Sequence, residues 1–162
     1  MAEQIRIALI GESWISTSTH IKGWDFFSSS VYEEGHEYLA RALSGPEFDL
    51  HHIPGHKAPT DAPISAQGWE EFDVVILSDI GANTLLLHPD VWLHGKTVAN
   101  RLSLLHEWVH NGGGLVMCGG YLSFAGIYGS AKFYKTPVED VLPVTMHERD
   151  DRLETPQGGK IV

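Results

Sequence analysis

The sequence predicts an α/β protein with a doubly wound, mainly parallel sheet of the flavodoxin-like type, arranged in three α/β/α layers. Short apolar runs alternate with helical patterns along the chain, which is the order of parallel strands joined by crossover helices. Residues 73–78 form an apolar run typical of a central parallel strand. We expect strand order 2-1-3-4, with ligands bound at the carboxyl ends of the strands.

Three further runs complete the predicted sheet. Residues 5–10 are rich in β-branched side chains and end at a glycine, whereas residues 48–53 alternate between apolar and polar side chains. Residues 115–118 lie between two groups of glycines. With residues 73–78, these strands predict a single domain over residues 1–162, a length that suits one core.

The first helix is predicted from a capping box. Ser30 is followed three residues later by Glu33, and this pair predicts a helix that ends at Gly45-Pro46. The preceding residues 16–22 carry four hydroxyl side chains and a histidine, and they are expected to form a polar loop at the ligand edge. The alternative is an ordinary solvated loop.

Two later helices have start signals of their own. Asn100 precedes an apolar stripe that includes Leu105 and Trp108. Thr136 and Glu139 form a second capping box, which predicts a short helix ending before Pro143.

The totals exclude several classes of protein. The formal net charge is −10 and no basic run is present, so nucleic acids and anionic membranes are poor partners. One cysteine cannot form an internal disulfide. The N-terminus shows no signal-peptide pattern, and no apolar run approaches the ~18 residues of a membrane span. These features predict a soluble, cytoplasmic protein.

The single cysteine, Cys118, stands where the fourth strand meets a turn formed by Gly119 and Gly120. A side chain on such a turn projects at the carboxyl edge of a parallel sheet, close to the backbone N–H groups that follow it. One interpretation is therefore a nucleophile. The other is a small buried hydrophobic residue that closes an apolar strand.

Polar residues at the same edge predict a binding site for a small polar molecule. Ser13 follows the first strand, Asp79 and Asn83 follow the third, and Tyr121 follows the fourth. Because the carboxyl ends of parallel strands meet at one edge, we expect these four side chains to surround the ligand. The alternative for Asp79 or Asn83 is a helix cap.

The ten histidines raise the question of a metal. His51, His52 and His56 form one close group, and His106 and His110 are spaced i, i+4 on a helix, with the pattern His-Glu-x-x-His. That helix face is expected to be solvated in a doubly wound fold, and no third ligand can be placed. We therefore expect no metal and no cofactor.

With the strands placed, the chain resembles the class I glutamine-amidotransferase-like family, in the branch of cytosolic proteins called putative glutamine amidotransferases. The residues that carry the resemblance are 78–87, 100–102, Trp108-Val109, 112–124, 136–139 and Asp150-Asp151-Arg152. The resemblance covers nearly the whole chain and implies the flavodoxin-like fold already predicted.

The resemblance also implies a catalytic role for the cysteine. Laid on the family pattern Gly-x-Cys-x-Gly, Cys118 is the nucleophile, with Gly119 and Gly120 beside it. The first glycine of the pattern is displaced, however, and relatives draw a catalytic histidine and acid from a later segment. Here the residues after Leu142 offer only His147. The chain is therefore expected to lack the C-terminal strands of its relatives.

Two functions follow as hypotheses. The first is a small-molecule-binding protein that keeps the fold without glutaminase activity, and the alternative is a hydrolase or transferase that uses Cys118. We also expect a homo-oligomer, because Trp92, Phe133 and Tyr134 are expected to leave apolar surface exposed.

Overall fold

A computed structural model describes residues 4–150 and 155–160 of the chain. Asp151 and Arg152, which contribute to the family resemblance, lie outside the described residues. The strands are β1 (Ile5–Gly11), β2 (Ser13–Lys22), β3 (Asp25–Glu34), β4 (Phe48–Ile53), β5 (Val74–Ser78) and β6 (Gly114–Cys118). The helices are α1 (Glu37–Ala42), α2 (Ala58–Asp61), α3 (Ala66–Trp69), α4 (Ala82–Leu86), α5 (Pro89–Trp92) and α6 (Arg101–His110), with 3₁₀ turns at Ile127–Gly129 and Glu139–Val141.

Four strands form a parallel sheet in the spatial order β4-β1-β5-β6. These are the second, first, third and fourth of the strands predicted from the sequence, so the order 2-1-3-4 and the doubly wound α/β/α class are confirmed. The register aligns Ser78 with Gly11 on one side and with Cys118 on the other. The ends of β1, β5 and β6 therefore meet at one edge of the sheet.

The sheet separates two apolar cores of unequal size. The larger core packs side chains of α2, α3, α4 and α6 against β1 and β5, including the wholly buried Trp69 and Leu105. The smaller core contains Ile7, Leu9 and Ile76, covered by half-buried side chains such as Leu39 of α1. Val116 of β6 is 46% exposed.

The junction between α6 and β6 follows from its glycines. The side chain of Asn100 accepts the N–H groups of the first turn of α6, as predicted for its N-cap. Gly112 has φ of 107°, which favours glycine, and it directs the chain from the helix towards the sheet. Gly113 lies against the indole of Trp108 so closely that a Cβ would overlap the ring.

The largest error in the sequence prediction is the segment between β1 and α1. Residues 16–22 are not a loop, because β2 and β3 form a two-stranded antiparallel hairpin of ten residues per strand. Its turn is Gly23-Trp24, where Gly23 has φ of 67°, as the first central residue of a type II′ turn requires. The Ser30/Glu33 pair lies in β3 and caps no helix, and α1 begins only at Glu37.

Two predictions for the C-terminal third also need correction. Phe133 is not a surface residue, since its side chain is wholly buried in the larger core. The Thr136/Glu139 pair does not form a reciprocal capping box. The Glu139 carboxylate instead accepts the N–H groups of Lys135 at 2.5 Å and Met146 at 2.6 Å, and the predicted helix is a single 3₁₀ turn.

Candidate functional site at the carboxyl edge of the sheet

The ends of β1 and β5 are held in unusual backbone conformations. Gly11 has φ of 110°, and a Cβ at this position would collide with the carbonyl oxygen of Ser78. The next residue, Glu12, has φ of 48°, and Asp79 after β5 has φ of 49°. Positive φ at residues other than glycine costs conformational free energy, and such residues often lie at functional sites. We therefore take this edge of the sheet as the candidate site.

Glu12 connects three elements at this edge. Its backbone N–H donates to the carbonyl oxygen of Ser78 at 2.9 Å, and its own carbonyl accepts the N–H of Gly35 at 2.9 Å. The hydroxyl of Ser78 donates to the Glu12 carboxylate. Glu12 therefore fixes the end of β5 to the end of β1 and to the segment after the hairpin.

Cys118 is half-buried at the end of β6, directly beside Ser78. It packs against the smaller apolar core of Ile7, Leu9 and Ile76. Among the described residues, no hydrogen bond joins Cys118 to a histidine or an acid. The observed environment is therefore that of an apolar strand end, and no activated thiol is evident.

Asp79 organises the turn that follows Cys118. Its Oδ1 accepts the N–H of Leu122 at 2.8 Å, and its own N–H donates to the hydroxyl of Ser123 at 3.2 Å. Asp79 does not cap α4, because the N-cap of that helix is Gly81. A conformationally strained aspartate thus holds the 119–123 segment against the end of β5.

A cavity of about 170 Å³ opens beside this turn. Its lining residues are Gly119, Gly120, Tyr121, Ser123, Phe124, Gly126 and Ile127. Three predicted site residues, Gly119, Gly120 and Tyr121, therefore belong to one concave surface, and Asp79 supports it from behind.

The other two predicted ligand-binding residues lie elsewhere. The hydroxyl of Ser13 accepts the N–H of Gly55 at 2.7 Å, so Ser13 belongs to the β1 and β4 end of the edge. Asn83 is exposed on α4. The carboxyl edge thus has two parts, the Asp79 turn beside β6 and a polar group around Ser13.

The polar group around Ser13 includes a cluster that we call the histidine–carboxylate cluster: Glu34, His36 and His52. One possible ligand atom from each of these residues lies within 4.8 Å of the other two. The imidazole rings of His36 and His52 lie against each other, with their centroids 3.9 Å apart and their planes tilted by 33°. The cluster therefore brings two imidazoles and one carboxylate to a single point.

Tyr32 sets the electrostatics of the cluster. Its hydroxyl donates to Oε1 of Glu34 at 2.5 Å. This hydrogen bond, helped by the nearby histidines, lowers the pKa of Glu34, and it raises the pKa of the Tyr32 phenol. Glu34 is thus held as a carboxylate, the form that binds cations.

The sequence pattern did not predict this cluster. His52 was grouped with His51 and His56, its neighbours along the chain, whereas Glu34 and His36 approach it only because the hairpin returns the chain to the sheet. His106 and His110 do form a ring pair, with centroids 4.5 Å apart on α6. Within residues 4–150 and 155–160, they do not join a third metal-ligating group.

The doubly wound parallel sheet, with a glycine turn after β6, is the architecture expected of a glutamine-amidotransferase-like protein. The chain belongs to the family described as "Putative glutamine amidotransferase", whose model matches residues 6–162. No curated protein matches the chain.

Two solved structures from Salmonella typhimurium are similar to this chain. The cytoplasmic protein STM3548 is 43% identical with a TM-score of 0.88, and the match covers 94% of this chain and 62% of that protein. The cytoplasmic protein STM1381, from strain LT2, is 42% identical with a TM-score of 0.89, and the match covers 95% of this chain and 63% of that protein. The chain thus spans less than two thirds of the length of either relative.

Among the helices of the described residues, none combines the length and the apolar character that a bilayer crossing requires.

Proposed function

We propose that this protein is an amidotransferase-like domain that binds a small polar molecule at the carboxyl edge of its sheet and has no glutaminase activity. The observation that carries the proposal is the environment of Cys118, which packs on an apolar core. Hydrolysis of glutamine by a thiol needs a base that takes the thiol proton and returns it to the leaving ammonia. The thiol has no such hydrogen-bonded partner within the described part of the chain.

The histidines of the histidine–carboxylate cluster are too far away to serve as this base. His52 lies on β4 and Cys118 on β6, with β1 and β5 between them. At a spacing of about 4.8 Å per strand, the two backbones are roughly 14 Å apart. A general base must lie within about 3 Å of the proton that it removes.

Of the four predicted ligand-binding residues, Asp79 and Tyr121 flank the proposed ligand site, and Ser13 and Asn83 lie farther along the same edge. The cavity of about 170 Å³ beside Tyr121 supports this position. It is smaller than the roughly 300–1,000 Å³ of pockets for drug-sized ligands, which favours a molecule of a few heavy atoms. Exposed backbone at Gly119 and Gly120, together with the Tyr121 hydroxyl, offers polar contacts rather than an apolar surface.

The alternative function is a hydrolase or transferase with Cys118 as nucleophile. It is favoured by the position of the half-buried thiol next to Gly119, where the glycine turn borders the cavity. In that mechanism the N–H groups of Gly119 and Gly120 would stabilise the oxyanion.

Two measurements separate these functions. Purified protein is incubated with glutamine, and released ammonia is compared with a Cys118→Ala control; the proposal expects equal, background release. Iodoacetamide labelling across pH, followed by mass spectrometry, then measures the reactivity of the thiol. Ammonia above the control, or alkylation of Cys118 well below pH 8, would favour the enzyme. Chemical-shift mapping with small carboxylates, amides and alcohols tests the proposed ligand site. Shifts confined to other surfaces of the protein would contradict it.

We further propose that the protein acts in the cytoplasm, as the names of both Salmonella relatives support, and forms a homo-oligomer, with a dimer as the simplest form. The hairpin supports the second proposal. Ile15, Ile21, Phe26 and Val31 are each more than half exposed, and Trp24 at the tip is fully exposed. A two-stranded hairpin in water is marginally stable by itself, so a partner surface would stabilise it.

The hairpin is large enough to supply part of such an interface. Ten residues per strand span about 33 Å, and two strands are about 10 Å wide, so both faces together offer roughly 650 Å². A standard interface buries about 800 Å² per partner. Sedimentation at 10–100 µM should show a dimer. The double variant Ile21→Ser with Phe26→Ser should weaken this dimer. The control Tyr38→Ser, which changes an exposed tyrosine on α1, should leave it intact. A monomeric wild-type protein over this range would contradict the proposal.

A further inference from the structure

We propose that Glu34, His36 and His52 form a binding site for a divalent transition-metal ion, best suited to Zn²⁺, with one coordination position open to a ligand. The site is separate from Cys118 and does not depend on the absence of glutaminase activity. The sequence alone predicts no metal here, because the three residues come from different elements. Glu34 ends β3, His36 precedes α1, and His52 lies near the end of β4.

The distance between Glu34 and His36 is the first argument. Nδ1 of His36 lies 3.4 Å from Oε2 of Glu34, which is too long for a good hydrogen bond between nitrogen and oxygen. Zinc binds imidazole nitrogen and carboxylate oxygen at about 2.0–2.1 Å in a tetrahedron, so two such ligand atoms are about 3.3 Å apart. The observed separation of 3.4 Å suits two ligands on one ion.

The second argument is an unsatisfied atom. Nδ1 of His36 is buried and makes no hydrogen bond, although the ring as a whole is about one fifth exposed. A buried polar atom without a partner is rare in folded proteins and calls for an explanation such as an ion or a water molecule. A cation between His36, Glu34 and His52 would satisfy it.

The third argument concerns the groups behind the ligands. Nε2 of His52 lies 2.8 Å from the carbonyl oxygen of Gly11. A carbonyl only accepts, so Nε2 carries the proton and Nδ1 carries the lone pair of the neutral ring. Metal-binding histidines are typically oriented by such a bond to a backbone carbonyl.

The carboxylate is oriented in the same way. Tyr32 donates to Oε1 of Glu34, which leaves Oε2, the oxygen that faces His36, for the ion. Tyr32 lies in turn beside Ser13, whose hydroxyl accepts the N–H of Gly55. Every proposed ligand except His36 is therefore held by a polar neighbour on the side away from the ion.

The donor set indicates the class of metal. Two imidazoles and a carboxylate suit zinc and the neighbouring transition metals, whereas calcium and magnesium prefer oxygen ligands alone. Three protein ligands leave a fourth position for water or for a polar group of a bound molecule. The site lies at the β1 and β4 end of the same sheet edge that carries the proposed small-molecule site.

The competing explanation is a polar cluster that only fastens the hairpin to the sheet. It predicts that Glu34 and His36 stabilise the fold but bind no metal with defined stoichiometry. The distinguishing measurement is therefore metal binding by the folded protein rather than stability alone.

The experiment uses the full chain, purified without a histidine tag and treated with a chelator. Isothermal titration with Zn²⁺ should give one ion per chain, and Co²⁺ should give the visible absorption of a four- or five-coordinate site. Glu34→Gln and His52→Ala should each weaken Zn²⁺ binding by at least tenfold and abolish the Co²⁺ spectrum. Circular dichroism establishes that each variant is folded.

Matched controls come from the other histidines. His51 is exposed and adjacent to His52 on β4, so His51→Ala should keep both signals, as should the double variant His106→Ala with His110→Ala. Tyr32→Phe is the milder test if Glu34→Gln fails to fold. It keeps the aromatic ring but removes the hydroxyl that bonds to Glu34. It should weaken Zn²⁺ binding about tenfold, the loss typical when a residue that hydrogen-bonds to a metal ligand is removed. The proposal is overturned if wild-type protein binds no stoichiometric Zn²⁺, or if the His106 and His110 variant loses binding while His52→Ala retains it.

Discussion

Replacement of Phe133 by alanine is the sharpest stability test, because sequence and structure disagree on this side chain. The sequence predicts Phe133 at the surface, whereas the structure buries it completely in the larger core, to which Val138 and Met146 also belong. A buried phenylalanine removes about 150–250 Å² from water, which at about 25 cal/mol per Å² is worth roughly 4–6 kcal/mol. Measured Phe→Ala losses in cores are about 3–5 kcal/mol, so we expect a loss of about 4 kcal/mol.

The assay is urea unfolding at fixed protein concentration, with thermal unfolding as a second measurement. For a chain of this length each kcal/mol shifts Tm by about 2–4 °C, so Phe133→Ala should lower Tm by about 8–16 °C. Tyr38→Ala is the control, since Tyr38 is 79% exposed on α1 and should change stability by less than about 0.5 kcal/mol. If both variants lose less than 1 kcal/mol, Phe133 does not lie in the core and the described packing of this segment is wrong.

Three further predictions test the edge of the sheet and its opposite end. Gly11→Ala should prevent stable folding, because its Cβ would collide with the carbonyl oxygen of Ser78. Gly23 has open space around it, so Gly23→Ala should lower the free energy of unfolding by only about 1–2 kcal/mol. Equal losses of the two variants in urea unfolding would contradict this prediction. Asp79→Ala should lower the free energy of unfolding by about 1–2 kcal/mol, because the N–H of Leu122 loses its acceptor. Asp79→Asn keeps an acceptor oxygen and should retain most of this stability. A similar loss in both variants would argue against the hydrogen bond to Leu122. Hydrogen bonds from the side chain and the backbone N–H of Arg6 lower the pKa of Asp73 in the folded protein. The Asp73 carboxylate therefore stabilises the protein at pH values above its unfolded pKa of about 3.9. This contribution disappears as the pH falls through the lower folded pKa. Asp73→Asn should therefore reduce the loss of stability below about pH 4, and an unchanged pH profile would refute the assignment.

The four strands of the parallel sheet could be predicted from the sequence because each is a local apolar signal. Residues 7–10 of β1 and 75–77 of β5 are buried on both faces of the sheet, so these side chains are apolar wherever they point. The ends of β1 and α6 could also be predicted locally. Gly11 and Gly112 have positive φ at these ends, and that conformation favours glycine. The sheet order was then predicted from the flavodoxin-like type, in which the strands lie in the order 2-1-3-4.

The hairpin could not be predicted in the same way, because it has no single apolar face. Ile15 and Ile21 lie on one face of β2, and Trp14 and His20 lie on the other, with hydroxyl residues between them. Both faces are exposed, so the usual alternation of apolar and polar side chains is absent. The pair Ser30 and Glu33 then imitates a capping box, although Glu33 bonds instead to Trp14 and Ser16 across the hairpin.

The residues of the candidate site were only partly predictable for the same physical reason. Tyr121, Gly119 and Gly120 follow a predicted strand directly, so their place at the sheet edge needed only the fold. Glu34 and His36 reach His52 through twenty residues of hairpin that the sequence did not reveal. Asp79 was identified as a site residue, but its bond to the N–H of Leu122 depends on the path of a turn 43 residues away.

The two parts of the carboxyl edge make independent tests possible. The histidine–carboxylate cluster belongs to the hairpin and β4, whereas Cys118 and the Asp79 turn belong to β5 and β6, roughly 14 Å away across the sheet. His52→Ala and Glu34→Gln should therefore remove metal binding without changing the reactivity of Cys118 towards iodoacetamide, and Cys118→Ala should leave the Co²⁺ spectrum unchanged. A loss of the Co²⁺ spectrum in Cys118→Ala would place the thiol within the metal's coordination shell. That result would refute the separation of the two parts, and with it the argument that no group near Cys118 activates the thiol.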